Sequence, residues 1–151
     1  MRVLDADTLA NAARAIAWTQ GRLEWKLHAA ERKIHASLEA LPKTTKHAVI
    51  LCCRRFGKSY YGCARGAMNG LRNERFLTRI IGPDIKQTVM IVEYNMSKLT
   101  EDLAALGLRD LIRRVKSDNM YHVGSSAIFL GGFDSQRDSL RGGEANEILI
   151  E

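Results

Sequence analysis

One stretch carries residues whose types and order suit phosphate chemistry: Cys52-Cys53-Arg54-Arg55-Phe56-Gly57-Lys58-Ser59. Gly57 permits close approach of the backbone. Lys58 can reach the β- and γ-phosphates of a nucleotide as a point charge, and the Ser59 hydroxyl can reach Mg²⁺. Backbone N–H groups of the loop and of a following first helical turn would point at the phosphates, and the helix dipole would add to the attraction. The usual loop opens with glycine; Cys52 stands at that position, so a structural turn is the competing reading.

Such a loop needs a strand before it and a helix after it. His47–Cys53 is a short apolar run of strand length, and the spacing predicts a helix over 59–71. Phe76–Ile81 reads as a second strand stopped by Gly82-Pro83-Asp84. Ile85, Val89, Val92, Met96 and Leu99 recur at helical steps, and Leu103 to Val115 is expected to continue helically, with Gly107 a weak point. Met120–Val123 and Ala127–Leu130 flank Gly124-Ser125-Ser126 as a hairpin, and Ile148–Ile150 would be a last strand. Ahead of all this, the first 41 residues read as helix, capped by Asp7 or Thr8, interrupted at most by Gly21 and ended by Pro42. Its apolar stripe (Leu23, Leu27, Ala30, Ile34, Leu38, Leu41) lies against Arg22, Lys26, Arg32 and Lys33. Strands alternating with helices predict an α/β class with a mainly parallel sheet and flanking helices, organised as an N-terminal helical segment (1–42) and a core (43–151).

Composition bounds the rest. The 151 residues are 46% hydrophobic and 26% charged, which excludes a disordered or fibrous chain. The longest apolar run, Ala48–Cys53, is too short to span a bilayer, and Asp5, Asp7 and Arg14 exclude a signal peptide; a soluble intracellular chain is expected. Cys52, Cys53 and Cys63 form no metal-ligand or disulfide pattern. The net charge of +6 resides wholly in residues 1–58, which hold 11 basic and 5 acidic side chains. A basic lobe suits a polyanion; a solvated helix face accounts for it equally well.

Missing its first glycine and carrying arginines inside the loop, Cys52–Ser59 resembles the deviant phosphate loop of the large terminase subunits of tailed double-stranded DNA phages, the ATP-driven motors that package viral DNA. Three further stretches are similar to that family. Leu27–Ile34 corresponds to the segment where it often carries a glutamine, here Glu31. Arg79–Gln87 corresponds to its second strand and the proline-containing turn after it. Gly124–Gly132, followed by Ser139-Leu140-Arg141-Gly142, corresponds to the stretch leading into the Walker B strand.

The resemblance implies a P-loop NTPase fold of the ASCE type, with ATP and Mg²⁺ as cofactors. It places Arg55, Phe56, Gly57, Lys58 and Ser59 around the phosphates and Mg²⁺, with Arg55 in simple phosphate or solvent contact. Arg54 would act on the γ-phosphate, in cis or as a sensor. Glu151 would be either the Mg²⁺-side carboxylate of the Walker B strand or the base that activates water. Glu31 would face the base, where a carboxylate accepts but cannot donate as an amide does, or would be a helix-surface residue. Implied partners are double-stranded DNA, the phage portal, the small terminase subunit and further copies of the chain, in the cytoplasm of the bacterial host, with no membrane. Because the sequence stops at Glu151, the expectation is the front portion of a longer ATPase. A nucleotide- or DNA-binding module without turnover, or another helicase-like P-loop ATPase, is the alternative.

Overall fold

The computed structural model describes residues 5–53, 55–133 and 145–150. Its regular elements are α1 (Ala6–Thr19), a 3₁₀ turn (Glu24–Lys26), α2 (Ala29–Glu39), α3 (Lys58–Arg72), β1 (Leu77–Gly82), α4 (Ile85–Leu99), β2 (Ile112–Val115), β3 (Met120–Val123), β4 (Ser126–Gly132) and β5 (Glu147–Ile150). The helices expected over 59–71 and 85–99, the strand expected from residue 76 and the hairpin around Gly124 all form, within a residue or two of their expected limits.

The five strands form one sheet in the order β2-β3-β4-β1-β5. β1 pairs in parallel with β4 (Leu77 opposite Ala127) and with β5 (Thr78 opposite Glu147), whereas β2–β3 and β3–β4 are antiparallel. The sheet is therefore mixed, where a mainly parallel one was expected. The antiparallel half comes from two successive hairpins, whose short connections cannot make a parallel crossover.

Residues 103–115 depart from the helical expectation. α4 already ends at Leu99 with Thr100 as its C-cap, residues 101–107 run through turns to Gly107 at φ +72°, and residues 112–115 then pair with β3. Leu103, Leu106, Leu108 and Leu111 still pack on the core. Their helix-like spacing thus marks burial rather than helix.

The first 41 residues are two helices rather than one. Asp5, not Asp7 or Thr8, caps α1: its Oδ1 accepts from the Thr8 N–H at 2.8 Å. After Thr19 the chain breaks at Gly21, whose φ of +63° suits only glycine; a Cβ there would also meet the Met68 carbonyl at 2.7 Å. Trp18, Leu23 and Leu27 join Ala64, Met68 and Val92 in a single core, so the helical segment shares its interior with the sheet. Lys26, expected on the polar face, instead has its side chain only 7% exposed. Its ammonium lies 2.8 Å from Asp102 Oδ1 and over the rings of Trp18 and Trp25 at 5.2 and 4.8 Å.

The strand expected at His47–Cys53 has no pairing partner among the described residues. Residues 46–53 carry no regular structure, with Val49 and Leu51 85% and 91% exposed. β1 is flanked by β4 and β5, and the outer edge of β5 pairs with no described strand, so apolar, β-branched composition alone has not brought this segment into the sheet.

Candidate functional site

The loop enters α3 through Gly57, the N-cap, in the left-handed region at φ +97°, preceded by Arg55 at φ +62°. A glycine N-cap supplies no side-chain acceptor, and α3 has no acidic residue in its first turn. The N-terminal N–H groups that an α-helix cannot bond internally therefore receive no side-chain cap from Gly57. Lys58 is exposed there, and no ion pair to it forms among the described residues; Ser59 beside it is half-buried.

Topology puts this helix start at a particular end of the sheet. α3 runs down to the turn before β1, so its N-terminus lies toward the carboxyl ends of the parallel strands β1 and β5. Open α/β sheets bind ligands at such ends. A cleft of about 550 Å³ opens there, its lining shared by α3 and the turn before it (Phe56, Lys58, Tyr61, Arg65), by residues 46–50, by Ile34 and Leu38 of α2 and by residues 148–150 of β5. No carboxylate is among its described lining residues.

Glu31 is 2% exposed, which removes the helix-surface reading. It sits beneath the loop: a Cβ added to Gly57 would fall 2.4 Å from Glu31 Oε1. Its Oε2 accepts from the His28 backbone N–H at 3.0 Å, closing a capping box at the start of α2. His28 also reaches the loop, with Nε2 3.0 Å from the Phe56 carbonyl oxygen. The Tyr60 hydroxyl is pushed up to about 12 by burial and then by the negative charge of Glu31, so it remains protonated at neutral pH.

Arg55, Phe56, Gly57, Lys58, Ser59 and Glu31 are thus brought together around one turn. Arg54 and Glu151 lie outside the described residues, as does Ser139-Leu140-Arg141-Gly142. Mg²⁺ fits the donor set in part. The Ser59 hydroxyl belongs to the first turn of α3, and the carboxylate expected to share the ion, Glu151, is not among the described residues. The described residues contain no cluster of three or more His, Cys, Asp or Glu side chains suited to a metal, and no helix among them is long and apolar enough to cross a membrane.

No protein-family model, curated protein or solved structure matches the chain. His28 was missed by reasoning from sequence. The pattern His28-x-x-Glu31 ahead of an amphipathic helix is a capping-box spacing, with histidine in the place usually held by serine or threonine, and that spacing was the available signal.

Proposed function

We propose that the chain binds a nucleoside triphosphate, ATP with Mg²⁺, at the Gly57-Lys58-Ser59 turn. The observation that carries this reading is the left-handed Gly57 N-cap opening a 15-residue helix toward the carboxyl ends of β1 and β5, with Lys58 exposed at its first position. In this reading the first-turn N–H groups and Lys58 hold the β- and γ-phosphates, and Ser59 shares Mg²⁺. Arg54 neutralises charge developing on the γ-phosphate, and Arg55 stays at the solvent-facing rim.

The resemblance to phage terminase large subunits extends the proposal to the ATPase portion of a P-loop packaging motor. Hydrolysis would then drive double-stranded DNA into the prohead alongside the portal and the small terminase subunit, as a homo-oligomer in the host cytoplasm. The absence of a carboxylate among the described cleft-lining residues favours a second reading, nucleotide binding without turnover, unless Glu151 supplies the base.

Titration with a fluorescent N-methylanthraniloyl ATP should show Mg²⁺-dependent binding that falls at least about tenfold in Lys58→Ala, the scale of a lost charge-assisted phosphate contact. Equal binding by the variant would remove the site. Phosphate release abolished by Glu151→Gln would make the chain a hydrolase; binding with no release above background would establish the second reading.

A further inference from the structure

The loop that carries Lys58 has little to hold it from its N-terminal side. Residues 46–53 contain no regular structure, yet Phe56 and Gly57 adopt a defined turn. A hydrogen bond reaches that turn from His28 at the start of α2, 28 positions earlier.

Both ring nitrogens of His28 have fixed roles. The Glu31 backbone N–H can only donate, so Nδ1, 3.3 Å away, accepts. The Phe56 carbonyl can only accept, so Nε2 carries the proton and donates at 3.0 Å. The hydrogen-bond pattern thus points to the Nε2–H tautomer. The ring also meets Phe56 edge-on, with centroids 5.6 Å apart and planes at 80°.

Glu31 completes the arrangement. A buried carboxylate is costly unless it is compensated. This one takes the His28 N–H on Oε2, has His28 Nε2 3.3 Å from Oε1, and sits at the positive end of α2. Gly57 rests directly over Oε1, and its φ of +97° would strain any larger residue there.

We infer that His28 and Glu31 act as a latch that holds the Phe56–Gly57 turn in the shape required for phosphate binding, so that α2 governs the competence of the nucleotide site. This rests on the nucleotide-site reading above. Neither residue need touch the nucleotide; both are positioning residues.

The test uses the full chain labelled with ¹⁵N, with N-methylanthraniloyl ATP and Mg²⁺ as the binding probe. In the unaltered protein the His28 ring nitrogens should show the neutral Nε2–H tautomer, and the Phe56 and Gly57 amides should have order parameters near about 0.85. His28→Ala should lower those order parameters below about 0.6 and weaken binding about tenfold, the scale of one good hydrogen bond. Glu31→Gln still accepts from the His28 N–H and should keep the turn rigid, whereas Glu31→Ala should loosen it. Lys58→Ala should lose binding with an unchanged turn. A rigid turn and undiminished binding in His28→Ala would overturn the latch. If the unaltered protein binds no nucleotide, the site reading falls; the latch is then judged by the order parameters alone, supported by a loosened turn in His28→Ala and overturned by a rigid one.

Discussion

Arg65 of α3 and Glu147 of β5 form an ion pair, Nε to Oε1 2.5 Å, with side chains only 15% and 16% exposed. Asn69, one turn further along α3, donates to the other carboxylate oxygen at 2.8 Å, and Arg65 also reaches Glu39 of α2 at 3.2 Å. Burial works against the charge on Arg65, and the Glu147 carboxylate more than restores it, so the guanidinium is held above its ordinary range. This pair ties β5, α3 and α2 together on the wall of the cleft below Lys58.

Removing one partner strands the other charge in a poorly hydrated place. Arg65→Met should destabilise the fold by about 3 kcal/mol, the scale for breaking a largely buried pair. Arg65→Met combined with Glu147→Leu should recover most of that loss. Urea denaturation of the two variants checks this; a double variant no more stable than the single one would show that packing, not charge, is what the pair provides.

His35 gives the fold a pH dependence. It is 5% exposed, with Nδ1 3.3 Å from the Tyr61 hydroxyl, and burial holds its pKa below the ordinary value of about 6.5. The unfolded chain therefore binds the proton more readily than the folded one. Stability should be complete above about pH 6.5 and decline as the pH falls below it. The urea midpoint should drop between pH 7.5 and 5.5, and the drop should shrink in His35→Gln. An unchanged slope in that variant would assign the effect elsewhere.

Contact between the basic lobe and DNA, if made, should follow the exposed cations. Arg32 and Lys33 are exposed on α2, whereas Lys26 is engaged with Asp102. Affinity for a double-stranded oligonucleotide, read by fluorescence anisotropy, should fall linearly on a log–log plot against salt. Arg32→Gln and Lys33→Gln should each reduce the slope by about one, while Lys26→Met should leave it unchanged. Salt-independent binding, or none, would remove DNA as a partner of this face.

Much of the fold was legible because local patterns specify it. The steps of three and four in α3 and α4 face the core, and Gly124-Ser125 turns the β3–β4 hairpin. Pairing was the hidden part. His47–Cys53 and Glu147–Ile150 look alike as apolar runs, yet only the second lies beside β1; no property of either segment alone decides which edge is free. The site divides the same way. Gly57-Lys58-Ser59 can be read from adjacency, whereas the contact of His28 with Phe56 requires α2 to be folded against the loop. Lys26 eluded the pattern because a cation on an amphipathic helix normally stays wet, and here two indole rings and Asp102 replace the water.

The placement of β1 between β4 and β5 has a consequence for biosynthesis. Leu77 must wait for Ala127, and Thr78 for Glu147, before either side of β1 is paired. At ribosomal rates of about 5–20 residues per second, that delay lasts on the order of several seconds. Until β4 is made only the β2–β3 hairpin can close from local contacts, and Ile80 and Ile81 have no neighbour on either flank. The nascent chain therefore passes through an interval in which the strand destined for the inside of the sheet has neither of its neighbours.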